Sequence, residues 1–266
     1  MDKKIPKALT IAGSDSGGGA GIQADLKTFS ALGVHGSSVI TAITAQNTKE
    51  VTAVHNVPLD IIGKQIDAVL TDIGADAVKI GMLSNKDIIK IVAKKLKNYN
   101  IKNIVLDPVM VAASGAKLLE DSAIASLKRD LIPLALVVTP NIPEAEVLIN
   151  KKIKTIDGIK NAAKEIINLG CSSVLMKGGH LNINSNEVID IFYDGKNFVE
   201  IKNKRINKTG HGTGCTLSSA IAANIAKGAE LKQAVKNAIG YVHNALESGF
   251  KIGEMNYVLD HSWEKN

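Results

Sequence analysis

The chain predicts an α/β fold in which a mostly parallel sheet is covered by helices on both faces, and three observations predict it. Short apolar runs alternate with amphipathic helical patterns along most of the 266 residues. The strand-like runs are apolar almost throughout rather than alternating, as expected of strands buried on both faces between two helix layers. At 45% hydrophobic and 22% charged, with no low-complexity tract or long linker, the chain can bury one large core, so residues 1–266 are expected to form a single domain.

In chain order, the run Ala8 to Ala12 reads as a first strand, and a helical pattern follows from Ile22 to Leu32. Further strands are expected at Ser37–Ala45, Ala77–Ile80, Asn103–Leu106, Leu136–Thr139 and Ser173–Met176. The helices between them fall at Leu59–Thr71, Asp87–Tyr99, Ser122–Leu131, Glu144–Ile149 and Gly158–Leu169, where apolar residues recur at intervals of three and four. Val188–Tyr193 and Asn197–Ile201 flank Asp194-Gly195-Lys196 and read as a hairpin. Two helices, Cys215–Lys227 and Leu231–Ser248, close the pattern.

Composition narrows the function class. The formal charge of +6 comes from lysines scattered over helices, such as Lys94, Lys95 and Lys97, and aromatic residues make up only 3%. Without clustered cations or stacking residues, this argues against nucleic-acid binding and leaves a mild bias toward anionic substrates. No apolar run approaches the length of a membrane span, and no apolar signal segment precedes the first strand, so a cytoplasmic location is expected. Cys171 and Cys215 cannot form a disulfide framework, and neither lies in a Cys-x-x-Cys pair, which suits a reducing compartment.

Two glycine clusters mark a candidate site. Gly210-His211-Gly212-Thr213-Gly214-Cys215-Thr216 opens a helix rich in small residues. Glycines there let the backbone approach a ligand, while free N–H groups and the positive helix end favour an anion. A cysteine at such a helix start is expected to have its thiolate favoured and to act as a base or nucleophile. The alternative is a glycine turn followed by an inert core cysteine. The second cluster, Gly13-Ser14-Asp15-Ser16-Gly17-Gly18-Gly19-Ala20-Gly21, links a strand to a helix but fits neither a dinucleotide fingerprint nor a P-loop.

Polar groups also stand at three successive strand ends: Asp107-Pro108, Pro140-Asn141-Ile142-Pro143-Glu144 and Lys177-Gly178-Gly179-His180. In an open α/β sheet the ligand crevice lies beyond the carboxyl ends of the strands, so these groups would converge there. Carboxylates able to hold Mg²⁺, a lysine and an anion hole on one rim suit phosphoryl transfer. Taken singly, Asp107 could be a turn residue, Asn141 and Glu144 a helix cap, and Lys177 a solvated side chain.

With these motifs the chain resembles the hydroxymethylpyrimidine/phosphomethylpyrimidine kinases of thiamine biosynthesis, members of the ribokinase-like superfamily. The resemblance runs in order from Ala12 through Thr41-Ala42-Ile43-Thr44-Ala45-Gln46-Asn47-Thr48, Lys79-Ile80-Gly81-Met82-Leu83, Asp107-Pro108-Val109-Met110, Thr139 to Ala145 and Lys177 to His180, ending at Thr216. It implies a ribokinase-like three-layer sandwich and a homodimer. The implied enzyme uses ATP and Mg²⁺, with a K⁺ requirement left open, to phosphorylate 4-amino-5-hydroxymethyl-2-methylpyrimidine and then its monophosphate. It further implies that Gln46 and Met82 contact the pyrimidine, with Gly13 and Asp25 nearby. Lys177, Asn141 and Thr213 would serve ATP, Asp107 and Glu144 the metal, and Gly212 to Cys215, including Gly214, the anion hole. Cys215 would be the general base, where most ribokinase-like enzymes carry an aspartate. One departure is visible: the family reads Asn-Thr-His-Gly-Thr-Gly-Cys, whereas Gly210 here separates Thr209 from His211. Pyridoxal kinases of the same superfamily and a non-catalytic binder of vitamin precursors are the alternatives. The joint presence of Lys177, Asp107, Glu144 and Cys215 argues against the binder, which needs no metal or phosphate groups.

Overall fold

Near-continuous apolar runs become central strands because both of their faces can be covered. In the computed structural model, which describes residues 4–111, 115, 118–180 and 186–265, nine strands form one sheet. They are β1 (Lys7–Asp15), β2 (His35–Gln46), β3 (Val51–Asn56), β4 (Ala77–Ile80), β5 (Ile104–Leu106), β6 (Val137–Val138), β7 (Val174–Met176), β8 (Glu187–Tyr193) and β9 (Phe198–Lys204). Their spatial order is β3-β2-β1-β4-β5-β6-β7-β8-β9. The pairs from β2 through β7 are parallel, while β3, β8 and β9 join antiparallel. The chain leaves β1 toward β2 and later returns on the other side of β1 as β4, so the strand order reverses there and a crevice opens beyond the carboxyl ends of β1 and β4.

One face of the sheet is covered by α2 (Leu59–Ala68), α3 (Lys86–Asn98), α4 (Asp121–Ser126), α5 (Ile142–Ile149) and α6 (Ile156–Ile167), and the other by α1 (Gly21–Ala31), α7 (Thr213–Ala226) and α8 (Leu231–Glu247). The helix α3 shows how sequence sets these elements. Asn85 caps it by accepting from the Asp87 and Ile88 amides, Lys95 and Lys97 face its negative end, and Ile88, Ile89, Val92, Ala93 and Leu96 form its buried stripe. By contrast α7 is buried continuously from Thr216 to Ile225. Small residues on every side let it lie against the middle of the sheet, which carries its first turn to the crevice.

Several expectations were modified. The helices expected to run to Thr71 and Leu131 finish in π turns, Val69–Ile73 and Leu127–Leu131. The strand β3 escaped the pattern because it is an exposed edge with no apolar alternation. So did a small sheet of β10 (Gly210–His211), β11 (Phe250–Lys251) and β12 (Tyr257–Val258), whose two-residue strands give no periodic signal.

Candidate active site

Two chambers meet at the first turn of α7. The smaller, about 40 Å³, lies beyond the ends of β1, β2 and β4, and its walls include Gly13, Gln46, Lys79, Met82 and Cys215. The larger, about 430 Å³, includes Asn141, Lys177, Thr213 and Gly214 at its polar end and Ile239, Val242 and Leu246 at its apolar end. Consecutive residues thus face different chambers: Gly214 lines the larger and Cys215 the smaller. The smaller chamber is too tight for a ring as it stands. Met82 is the wall able to yield, because its unbranched side chain reaches toward Gly13, where a Cβ would meet its Sδ at 3.0 Å.

The turn that starts α7 requires glycine. Gly212 has φ of 82°, and a Cβ there would lie 1.8 Å from the Gly19 carbonyl oxygen, so the two glycine clusters pack backbone to backbone. Asp15, at the end of β1, holds the first cluster in shape: its carboxylate accepts from the amides of Gly17, Gly19 and Ala20 at 2.8, 3.1 and 2.8 Å. His211 Nε2 lies 2.9 Å from Asp15 Oδ2 and ties the second cluster to the first. Burial pushes the Asp15 carboxyl upward, but the His211 contact and the amides outweigh it and the pKa is lowered.

Lys177, at the end of β7, is held rather than solvated: its side chain is 15% exposed and its Nζ lies 2.9 Å from Asp107 Oδ1 and 3.8 Å from Glu144 Oε2. Burial disfavours the ammonium, yet these carboxylates reverse the effect and raise its pKa. For Glu144, burial pushes the carboxyl up to about 7 against the pull of Lys177. Asn141 and Glu144 also form a capping box, each side chain accepting from the other's amide, so the capping and ligand-binding readings hold together. Lys177 stands 3.3 Å and Asp107 Oδ2 3.5 Å from the position a Cβ on Gly214 would take, which puts cation, carboxylate and helix amides at one point. Among the described residues no cluster of three or more His, Cys, Asp and Glu forms a metal cage. Two hard carboxylates without a cage fit an ion that draws its other ligands from phosphate and water, as Mg²⁺ does.

Two expectations are corrected. Asp25, expected near the pyrimidine, does not line the smaller chamber: it is wholly buried, where Lys79 Nζ donates to both of its oxygens at 2.8 Å and Thr10 and Ser219 add hydroxyl donors. Lys79, also wholly buried, lines the chamber instead, with its ammonium held by Asp25. The thiolate expected at Cys215 is not favoured either. Burial pushes the thiol up to about 11, and the Asp25 and Asp107 charges add to that, so Lys79 and the Gly21 amide only partly oppose it. A helix end is worth at most about 2 kcal/mol, less than the cost of burying an uncompensated charge.

Sequence reasoning gave no role to Asp15, Lys79 or His211. A signal existed for Lys79, the one charged residue in an otherwise apolar four-residue strand. Asp15 and His211 sit inside glycine clusters and acquire meaning only together, across 196 residues of chain.

Comparison with known proteins gives the family of the chain and its fold. The phosphomethylpyrimidine kinase family profile matches residues 15–260. The hydroxymethylpyrimidine/phosphomethylpyrimidine kinase of Bacillus subtilis is 48% identical over 94% of this chain and 92% of its own. A crystal structure of phosphomethylpyrimidine kinase from Clostridium difficile is 51% identical over 91% of this chain and 99% of its own, with a TM-score of 0.81. The pyridoxal kinase from Staphylococcus aureus, in complex with AMP-PCP and pyridoxal, is 35% identical over 99% of this chain and 96% of its own, with a TM-score of 0.90.

Proposed function

Because the chain belongs to the phosphomethylpyrimidine kinase family, we propose that its smaller chamber holds the hydroxymethylpyrimidine ring and its larger cavity holds ATP. The chain is a phosphotransferase of thiamine biosynthesis that phosphorylates hydroxymethylpyrimidine and its monophosphate at the expense of ATP. The observation that carries the assignment of chambers is the placement of Gly214 and Cys215 on either side of one helix start, where a phosphoryl group would pass from one chamber to the other.

The roles follow from chemistry at that point. The α7 amides from Gly212 onward and the Lys177 ammonium meet charge developing on the transferred group. Asn141 and Thr213 border the nucleotide phosphates, and Asp107 and Glu144 would hold Mg²⁺, which when bound neutralises phosphate charge. Gln46 and Met82 hold the ring over Gly13, and Lys79 sets a fixed positive charge under it. Cys215, resting as a thiol, orients the attacking hydroxyl by hydrogen bonding rather than waiting as a base. Little base is needed, because a loose transition state leaves the hydroxyl proton in place until late. An outer edge on β3 that no strand covers among the described residues, together with exposed Ile43, Val54, Leu59 and Ile61, supports a homodimer at that end of the sheet. Two free cysteines, one of them buried, suit the cytoplasm.

Release of ADP, measured with the pyrimidine alcohol, its monophosphate and pyridoxal, each with and without Mg²⁺ and K⁺, tests the reading. Turnover of both pyrimidines is expected. Useful turnover of pyridoxal alone would move the chain to the second specificity, which the closely similar fold of the pyridoxal kinase keeps in the comparison.

A further inference from the structure

The hydrogen bonds around Gln46 contain a conflict whose resolution says how the ring is chosen. Gln46 Nε2 lies 3.3 Å from His211 Nε2, and that same imidazole nitrogen lies 2.9 Å from Asp15 Oδ2. Asp15 is an ionised carboxylate with a lowered pKa and can only accept, so His211 Nε2 carries the proton and donates to it. A carboxamide nitrogen facing that N–H sets donor against donor. At the other amide atom the mismatch repeats. Thr44 Oγ1 lies 3.3 Å from Gln46 Oε1, but its single proton is directed to the Ser14 carbonyl oxygen at 2.8 Å, which leaves two acceptors facing each other. Exchanging the oxygen and nitrogen of the amide, which are alike in shape, resolves both contacts at once. The oxygen then faces the His211 Nε2–H and takes the longer, 3.3 Å branch of a three-centre bond whose shorter branch goes to Asp15, and the nitrogen donates to Thr44.

We propose that Asp15, His211 and Thr44 form a latch that fixes the direction of the Gln46 carboxamide and thereby sets which hydrogen-bonding edge of a ring the enzyme accepts. This rests on the reading that Gln46 contacts the ring. Once latched, Gln46 has one lone pair on its oxygen and one hydrogen on its nitrogen to spare. It offers an acceptor on the His211 side and a donor on the Thr44 side. A ring amine beside an unprotonated ring nitrogen satisfies both. A 4-oxo ring, which presents a carbonyl beside a ring N–H, needs the amide reversed and is rejected because the latch forbids it. Asp15 is well placed for the task, since three backbone amides immobilise it and it in turn fixes the histidine tautomer. His211 and Thr44 are positioning residues, 5% and 4% exposed.

The test compares dissociation constants for the 4-amino ring and its 4-oxo analogue, measured by calorimetry on the whole protein. A site with fixed donors and acceptors should prefer the amine by roughly 100-fold or more. His211→Phe keeps a flat ring but removes the donor, so the amide turns freely and the preference falls at least tenfold. His211→Gln, which restores an N–H near the same place, recovers part of it. Thr44→Val releases the other side of the latch without disturbing His211 and lowers the preference in the same direction, which keeps the proposal exposed to refutation if the histidine variants do not fold. A role in packing alone weakens both ligands equally and leaves the ratio unchanged. An unchanged ratio in the folded variants therefore overturns the latch. Gln46→Leu separates the two levels: if it abolishes the preference while the latch variants leave it intact, Gln46 reads the ring and only the latch is wrong. If Gln46→Leu leaves the preference unaltered, the underlying reading fails, and the latch with it.

Discussion

Replacing Lys79 by Met removes one partner of a wholly buried ion pair and leaves the other in place. The ammonium donates 2.8 Å bonds to both Asp25 oxygens, and after substitution only the Thr10 and Ser219 hydroxyls, at 2.6 and 2.7 Å, remain to stabilise that carboxylate. Breaking a buried pair from one side costs about 3–5 kcal/mol, because the remaining charge has lost its partner and cannot regain water. With about 2.1 cal/mol/K of unfolding entropy per residue, the 266-residue chain has about 0.56 kcal/mol/K, so the Tm should fall by about 5–9 °C. Adding Asp25→Asn removes the stranded charge and should restore at least half of that loss, which is a non-additive result expected only of paired groups. The assay is thermal unfolding by calorimetry without ligands, run on parent, single and double variants. A Lys79→Met variant within about 2 °C of the parent, or a double variant as unstable as the single, would refute the account of this pair.

The other predictions concern the reaction. Cys215→Ser should retain activity within about tenfold and Cys215→Ala should lose about 10²-fold in kcat, with parent kcat flat between pH 8 and 9, above the Glu144 carboxyl at about 7 and below the thiol at about 11; a tenfold rise in kcat over that window would show instead that the minor thiolate is the working base. Gly212→Ala forces a Cβ against the Gly19 carbonyl at a left-handed φ, and parting the two glycine clusters should lower kcat/KM by about 10²-fold, as read by ADP release; near-parent turnover would mean the contact is not needed. Lys177→Ala should raise KM for ATP and lower kcat together, since a phosphate contact acts in ground and transition states, and unchanged ATP kinetics would take Lys177 out of the site. Gln46→Leu should raise KM for the pyrimidine about tenfold, equivalent to about 1.4 kcal/mol for an unpaired polar edge, with KM for ATP unaltered; equal pyrimidine KM values would assign ring recognition elsewhere.

What the sequence determined by itself was everything carried by local pattern. Apolar runs placed β1 and β4 to β7 within a few residues, because a strand buried on both faces leaves a near-continuous apolar record in the chain, and the mixed run of the half-exposed β2 was still placed from its Val39 to Ala45 core. Glycines before α1 and α7, and polar residues at the ends of β5, β6 and β7, pointed to one rim because parallel strands all deliver their carboxyl ends to the same side. The edge strand β3 left no such record, since its side chains are mostly exposed. Only tertiary structure decided which charges meet. Asp25 read as a site residue and proved to be the buried counter-ion of Lys79, 54 residues away, braced by Ser219 at a separation of 194. The protonation of Cys215 went the same way: a helix start favours a thiolate, but the enclosure contributed by residues from distant strands outweighs it. Pairing and desolvation fall off over a few ångströms and take no account of separation along the chain, so they exist only once the sheet has brought these residues together.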